Sequence, residues 1–224
     1  MKWNKQFTYP KSSREMIEGK RHYEFGNEKL PSVTTIISAT ESDEKKESLQ
    51  RWIDKVGKEE ADHVKNVAAR RGTAMHSILE HYVEQNNLLD LTETGLVAHK
   101  MANTIIDKGF PDLEEIWGSE VTLGYPGLYA GATDLCGIYM GRESIIDFKQ
   151  SNKPKRIEWI DNYKLQGAAY AMAHDYMFGT NIDQIVILMC TPDCFFQRFI
   201  ITGREFREYK WRWLERINRY YANS

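Results

Sequence analysis

The stretch of residues 129–150 constrains the fold more than any other part of the chain, because it predicts a β-hairpin with charged side chains on one face. With residues 140–143 as the connecting loop, Asp134 lies opposite Lys149 and is a diagonal neighbour of Asp147. Side chains alternate between the two faces of a strand, so these three residues point the same way. Two carboxylates held so close are costly unless a cation neutralises them, which indicates a divalent-metal site.

The Asp-x-Lys pattern is a weak signal on its own, because an acidic residue two positions before a lysine occurs five times in the chain. Only the copy at 147–149 ends an apolar run of strand type, Ile145-Ile146. A strand end holds functional groups rigidly while leaving them accessible. The alternative is a surface hairpin in which Asp134 and Lys149 form an ordinary ion pair, and the hairpin alone leaves both interpretations open.

Two predicted helices contribute further polar side chains. His76 and Glu80 are four residues apart and share a helical face, where an imidazole could join carboxylates as a metal ligand. On a later helix, Gln166 and Tyr170 share a face and could hold a phosphate or orient Lys149. The alternatives are a solvated helix face for the first pair and a half-buried aromatic stripe for the second.

The periodicity of apolar residues predicts an α/β or α+β domain with a central mixed β-sheet of about five strands flanked by helices. Helical spacing dominates residues 49–85, which Gly57 and Gly72 are expected to divide, and it returns at 95–108 and 161–178. Besides the hairpin, strand patterns occupy residues 116–123, 185–190 and 195–201.

The chain is expected to form a single domain over residues 1–224. Its expected parts are a helical N-terminal region at about 41–110, a sheet-bearing core at about 111–201 and a C-terminal helix at 202–222. Thr202 and Glu205 form a capping-box pattern at the start of that helix. Residues 31–37 are rich in β-branched side chains and fit either a strand or the start of a helix.

Composition and charge narrow the class of protein. A hydrophobic content of 42% and a charged content of 28% are ordinary for a globular chain in water. No apolar run approaches the roughly 20 residues that span a bilayer, so no membrane partner is expected. Three cysteines suggest no disulfide framework and a reducing compartment, which favours the cytoplasm. A net charge of −2 does not indicate a nucleic-acid binder, although a local groove or a bound metal could admit a polyanion.

The order of these motifs resembles the PD-(D/E)XK nuclease superfamily, and in particular its RecB-type exonuclease branch. The matching segments are Gly72-Thr73-x-x-His76-x-x-x-Glu80, Gly131-x-x-Asp134, Asp147-Phe148-Lys149 and Gln166-x-x-x-Tyr170. Within this branch the chain is most similar to the phage exonucleases and the mitochondrial genome maintenance exonuclease. The N-terminal phrase LPSVTTIIS also looks like phage members, and the resemblance covers roughly residues 22–200.

The resemblance implies a restriction-endonuclease-like core and Mg²⁺-dependent cleavage of phosphodiester bonds in DNA, with Mn²⁺ as a substitute. The metal ligands that it implies are His76, Asp134, Asp147 and the backbone carbonyl of Phe148. It further implies that Lys149 is the catalytic lysine, acting with the two aspartates. A cytoplasmic location in a bacterial or phage-infected host cell is consistent with this branch.

Other residues match the branch less directly. Gln166 and Tyr170 correspond to its specific helix and are expected to take part in catalysis, while Glu80 and Glu120 are candidates to support the metal ligands. Gln150 departs from the small hydroxyl residue that many relatives carry after Asp-x-Lys. Some relatives hold an iron–sulfur cluster on four cysteines, and the three cysteines of this chain cannot supply that pattern, so no cluster is expected.

The expected substrate is DNA, and five basic residues close to the motifs could contact its phosphates: Arg70, Arg71, Lys153, Lys155 and Arg156. The leading hypothesis is an exonuclease acting at the ends of single-stranded DNA in phage or genome replication, recombination or maintenance. A single-strand-binding or recombination protein could be its partner. The alternatives are a structure-specific endonuclease and a catalytically silent DNA-binding module, and the intact acidic, histidine and lysine positions favour turnover.

Overall fold

A six-stranded mixed β-sheet forms the centre of the computed structural model, which describes residues 1–86 and 88–223. The strands of this sheet are β1 (Lys2–Trp3), β5 (Leu113–Tyr125), β6 (Tyr129–Tyr139), β7 (Arg142–Gln150), β8 (Gln184–Cys190) and β9 (Phe196–Thr202). A separate three-stranded sheet contains β2 (Arg14–Ile17), β3 (Lys20–Phe25) and β4 (Glu28–Pro31). The helices are α1 (Val33–Ala39), α2 (Asp43–Val56), α3 (Lys58–Val83), α4 (Glu93–Gly109), α5 (Asp161–Phe178) and α6 (Gly203–Ala222).

The strand order of this sheet is β1-β5-β6-β7-β8-β9, with parallel pairing at β1/β5 and β7/β8 and antiparallel pairing elsewhere. Helices α1, α5 and α6 bury their apolar side chains on one face, and α3 and α4 do so on the other. The predicted mixed sheet flanked by helices is therefore confirmed, with six strands instead of about five. The unpredicted strand β1 pairs through only two residues, too few to leave a pattern in a polar segment.

Helix α5 lies unusually close to the sheet because small residues face it. A Cβ at Gly167 would lie 2.5 Å from Cγ2 of Ile185 on β8, so only glycine permits this approach. Ala168 and Ala171 are completely buried on the same helix. This close packing fixes α5 relative to β7 and β8, and it carries the polar residues of α5 to the sheet.

The turn of the β6–β7 hairpin is shorter than predicted. Tyr139 pairs with Arg142, so the turn consists of Met140 and Gly141 alone, with φ values of 51° and 72°. Two-residue turns with positive φ at both positions match the right-handed twist of paired strands. The four-residue loop predicted from the sequence is therefore wrong.

The shorter turn moves the register of the hairpin by two residues. Leu135 pairs with Ile146, and continuing this register places Asp134 across from Asp147, not across from Lys149 as predicted. A shift of two residues keeps every side chain on the same face, whereas a shift of one would have reversed them all. The shared face of the three charged residues therefore survives the error in register.

Two glycines predicted to divide the long helical region behave differently. Gly57 separates α2 from α3 and has a φ of 87°. The predicted break at Gly72 is wrong, because α3 continues through it. A Cβ at position 72 would lie 3.3 Å from Cγ of Gln150, so this glycine allows α3 to approach β7 closely. Among the described residues, no helix is long and apolar enough to cross a membrane.

The starts of α1 and α6 differ in whether a side chain caps them. The segment 31–37 enters a helix, because the Ser32 side chain caps α1 by accepting from the Thr35 N–H at 3.0 Å. The capping box predicted at the start of α6 does not form its side-chain hydrogen bond. Glu205 instead accepts from the buried Lys164 ammonium at 2.8 Å, an interaction between α6 and α5.

The N-terminal segment is tied to the core through a buried histidine of α5. Tyr9 Oη lies 3.0 Å from His174 Nε2 and 3.1 Å from Cys136 Sγ, and Thr180 Oγ1 lies 2.8 Å from His174 Nδ1. The Trp117 ring stacks on the imidazole with centroids 5.7 Å apart. Burial lowers the pKa of His174 to about 4, so the ring is neutral at pH 7.

We predict that His174 makes the fold less stable in acid. The unfolded imidazole takes up a proton near pH 6.5, whereas the folded one resists until about pH 4, so stability is complete above this window and falls as the pH drops through it. Between pH 8 and pH 5 the loss is roughly 2 kcal/mol. Urea unfolding should show a smaller acid loss for His174→Gln than for the native chain, and comparing the two cancels carboxyl groups that titrate in the same range. Equal losses would contradict the assignment.

Candidate functional site

Strands β6 and β7 separate at one end, and two carboxylates lie where they part. Their pairing ends at Leu135 and Ile146, after which β6 continues beside β5 and β7 continues beside β8. Asp134 and Asp147 are the next residues on the two strands. The backbone N–H of Phe148 donates to Asp134 Oδ2 at 2.6 Å, so this carboxylate takes the place of a missing hydrogen bond between the strands.

A third carboxylate lies in the same row. The register of β5 and β6 places Glu120 directly across from Asp134, because the positions on either side of them are paired. Glu120 has a φ of 49°, a left-handed conformation that is strained for a residue with a side chain and persists only where the surrounding structure holds it. Glu120, Asp134 and Asp147 thus form a line across three adjacent strands.

Helix α3 brings an imidazole to this row. Met75 and Leu79 are completely buried against the sheet, and this packing fixes the position of His76 between them. His76 Nδ1 lies 3.3 Å from Asp134 Oδ1. One ligand atom from each of His76, Glu120 and Asp134 lies within 4.8 Å of the others. Such a separation suits a single ion, since small divalent cations hold their ligands at about 2.0–2.1 Å.

Lys149 supplies a cation beside the row. Its Nζ donates to Asp147 Oδ1 at 2.7 Å, and it lies 5.1 Å from the centroid of the Tyr163 ring. Burial opposes a charge here, but the carboxylates of Asp147 and Asp134 outweigh burial and raise the pKa of Lys149 above its ordinary value. The side chain is therefore an ammonium at neutral pH and is not available as a general base.

The electrostatic environment divides the acidic groups. Burial alone would raise the pKa of Asp134, but the nearby His76 and Lys149 outweigh burial and lower this pKa. In Asp147, burial dominates and raises the pKa of the carboxyl group. Glu120 is exposed as a residue, yet partial desolvation of its carboxyl group and the nearby Asp134 raise its pKa to about 7. Burial opposes a charge on His76, but Asp134 prevails and raises the pKa of the imidazole.

The donor set fits a hard divalent ion. Asp147 Oδ2 is buried and accepts no hydrogen bond of suitable direction, although Lys149 Nζ lies only 2.6 Å away. The ion pair with Lys149 offsets the charge of this oxygen, and a carboxylate oxygen keeps a further lone pair that a metal ion could share. The Phe148 N–H points toward β6, so the carbonyl of the same residue faces that edge, where it is a candidate oxygen ligand. Several oxygens with one imidazole suit Mg²⁺ or Mn²⁺.

Glu120 and Glu80, the two acidic residues expected to support the metal ligands, occupy different positions relative to the ligand cluster. The Glu120 carboxylate supplies one of the three clustered ligand atoms. Glu80 lies one turn beyond His76 on α3, where burial, Glu84 and, more weakly, Asp134 raise its pKa. The register of β5 with β6, which local sequence patterns do not reveal, is what brings Glu120 into the row.

Helix α5 contributes three residues near the sheet. Tyr170 packs over Gly131 on β6, where a Cβ would lie 2.9 Å from the tyrosine hydroxyl oxygen. The Gln166 side chain is a hydrogen-bond partner of that hydroxyl, and burial raises the pKa of Tyr170 beyond its ordinary range. Tyr163, one turn before Gln166 on the same helical face, adds a ring contact with Lys149.

The first two of the basic residues expected at phosphates lie on α3. Arg71 Nε donates to Gln150 Oε1 at 3.0 Å, and the same guanidinium donates to Asn152. Arg71 therefore links α3 to the end of β7, and its neighbour Arg70 is exposed. An arginine already engaged in two hydrogen bonds within the fold has a structural role whether or not it also meets a phosphate.

The remaining basic residues follow β7. Lys153 and Lys155 line a groove beside α2, and Lys153 is exposed. The Arg156 guanidinium lies 5.4 Å from the centroid of the Trp159 ring, a cation–π contact on a ring that is 62% exposed. These three residues leave cationic groups accessible on one side of the site.

No family model and no curated protein matches this chain. Among solved structures, a proposed exonuclease from Eubacterium rectale is similar, with 14% identity, 68% of each chain covered and a TM-score of 0.48. A protein named SSO0001 is also similar, with 15% identity, 68% of this chain and 74% of that chain covered, and a TM-score of 0.33. Similarity at this identity and TM-score does not indicate a function.

We predict that Mn²⁺ or Mg²⁺ stabilises the folded chain, by about 2.7 kcal/mol at an ion concentration one hundred times the dissociation constant. Because His76 must lose its proton and Glu120, with a pKa of about 7, must ionise, the apparent affinity should rise between pH 6 and pH 8. Calorimetric titration with Mn²⁺ at several pH values, together with thermal unfolding, measures both effects.

Asp134→Asn should remove the response to the ion, because the central carboxylate of the row becomes neutral. Asp107→Asn is the matched control, since Asp107 is an exposed aspartate of α4. Stabilisation of the Asp134→Asn variant equal to that of the control, or an affinity that does not change with pH, would exclude these residues as the metal ligands.

Proposed function

We propose that this chain hydrolyses phosphodiester bonds in DNA with a divalent metal ion, and that the row of carboxylates beside Lys149 is its active site. The observation that carries this proposal is the alignment of Glu120, Asp134 and Asp147 across three strands, next to the partly buried ammonium of Lys149. A solvated surface hairpin accounts poorly for an Asp147 side chain that is only 3% exposed. Phosphoryl transfer needs positive charge around the phosphate and an activated water, which this set of groups is suited to organise.

The ion would be held by the side chains of His76, Glu120, Asp134 and Asp147, with the Phe148 carbonyl as a further ligand. When bound, Mg²⁺ or Mn²⁺ lowers the pKa of a coordinated water and neutralises charge on the phosphate. The backbone hydrogen bond to Asp134 and the burial of Asp147 hold these ligands in place before the substrate arrives.

Lys149 acts as an electrostatic catalyst in this proposal. Its raised pKa keeps the ammonium charged, so it can stabilise the negative charge that develops on the phosphate oxygens in the transition state. The Tyr163 ring supports the ammonium from one side. Gln166 and Tyr170 are proposed to assist from α5 by contacting the phosphate, since both lie on the helix that covers this part of the sheet.

The finer assignment is an exonuclease that acts at the ends of single-stranded DNA. The order of motifs along the chain supports the RecB-type branch of the PD-(D/E)XK nucleases, and with it a role in phage or genome replication, recombination or maintenance. In such a role, a single-strand-binding or recombination protein would deliver the substrate. Exposed cationic groups after β7 support contact with the phosphates of DNA.

We predict that Lys149→Ala binds Mn²⁺ but cleaves DNA at least about 100-fold more slowly, because it lacks the charge that stabilises the transition state. Asp147→Asn should lose both metal affinity and cleavage. Lys100→Ala on α4 is the control, since it removes an exposed lysine elsewhere. Rates on end-labelled single-stranded DNA, measured with folded variants of confirmed thermal stability, test both. Unchanged rates for Lys149→Ala would exclude this active site.

The mode of cleavage is tested with closed circular and linear single strands of the same sequence. An exonuclease degrades the linear strand in Mg²⁺ or Mn²⁺, leaves the circle intact and stops in EDTA. Cutting of the circle would identify an endonuclease. Binding to both forms without any cleavage would identify a silent DNA-binding module.

A further inference from the structure

A groove of about 620 Å³ lies between α2, the start of α3 and the segment that follows β7. None of the 14 residues of α2 is buried, although its apolar residues recur at helical spacing. Trp52 is half-buried, and Val56 is 37% exposed. The apolar face of α2 thus borders an open groove.

The two walls of the groove differ in chemistry. One wall is apolar and aromatic, and it includes Trp52, Val56 and Val64. The other wall is polar and cationic, and it includes Lys153 and Lys155. One carboxylate, that of Glu60, also lines the groove, so the two lysines leave it with a net positive charge.

The groove borders the proposed active site through the Tyr163 ring. Tyr163 lines the groove, and the same ring lies 5.1 Å from Lys149 Nζ. Gln150 also lines it and follows Lys149 in the chain. A polymer lying in the groove would therefore contact the same tyrosine ring that lies beside the proposed catalytic lysine.

We propose that this groove holds an unpaired nucleic-acid strand, with its bases against Trp52 and its phosphates against Lys153 and Lys155, and that Trp52 makes the site selective for single strands. The proposal rests on the function proposed above. A single strand presents base faces on one side and charge on the other, as the two walls require. In a duplex the base faces are stacked inside, so the aromatic wall has no counterpart.

The test is the affinity for labelled 20-nucleotide single strands and for blunt duplexes, measured by fluorescence anisotropy in EDTA so that no cleavage occurs. Trp52→Leu keeps an apolar side chain but loses the aromatic face, and its affinity for the single strand should fall by about 5- to 150-fold. Trp52→Phe should retain most of the native affinity. Trp211→Leu is the control, because Trp211 is 70% exposed on α6 and does not line the groove.

The contribution of the cationic wall is measured through the salt dependence of binding. The double variant Lys153→Gln and Lys155→Gln should reduce the slope of log affinity against log salt by about 1.4, which is the value for two phosphate contacts with a single strand. Trp52→Leu should leave this slope unchanged. The two effects therefore separate stacking from charge.

The native chain should bind the single strand more tightly than the duplex, and Trp52→Leu should reduce this preference. Equal affinity of Trp52→Leu and Trp211→Leu for the single strand, or a native preference for the duplex, would overturn the proposal even if the chain cleaves DNA. Conversely, Trp52-dependent binding without cleavage in Mg²⁺ or Mn²⁺ would overturn the proposed activity and leave the groove assignment standing.

Discussion

The separation of β6 from β7 is the constraint on which the rest of the site depends. Strands that part leave backbone N–H and C=O groups that need new partners. Asp134 meets this need by accepting from the Phe148 N–H at 2.6 Å through one carboxylate oxygen. Its other oxygen lies 3.3 Å from His76 Nδ1. One residue thus completes the hydrogen bonding of the sheet and faces the candidate metal position, which explains why the site lies at this gap.

Charge balance explains how such a site can fold before an ion binds. A buried carboxylate without a partner is destabilising by several kcal/mol. Lys149 lies 2.6 Å from Asp147, and His76, whose pKa is raised by Asp134, lies 3.3 Å from that carboxylate, so each of these two acids has a basic partner. The remaining carboxyl group, that of Glu120, has a pKa of about 7 and therefore keeps its proton below that pH. A divalent ion would therefore displace the protons of His76 and Glu120 without any need to unfold the sheet.

The parts of this arrangement that depend on local rules were predictable from the sequence. The common face of Asp134, Asp147 and Lys149 follows from the alternation of side chains, and that rule tolerates a register error of two residues. The residue opposite Asp134 on β7 depends on the length of the β6–β7 turn, and the position of Glu120 opposite Asp134 depends on the length of the β5–β6 turn, two lengths that side-chain alternation does not set. The hydrogen bond between Tyr9 and His174 joins positions 165 residues apart, so only the folded chain reveals it.

Helix α2 is packed less firmly than α5, since it has no buried residue. Its base is held by polar contacts, since Asn162 Nδ2 donates to Glu41 Oε2 at 2.6 Å and the Arg216 guanidinium lies 3.7 Å from the other oxygen of Glu41. Asn162 precedes Tyr163 on α5, so one helical turn positions both the base of α2 and the ring beside Lys149. Moving α5 would disrupt the packed core, whereas moving α2 exposes no buried side chain. Displacing the aromatic wall of the groove would therefore disturb the core less than displacing α5, which holds the Tyr163 ring beside Lys149.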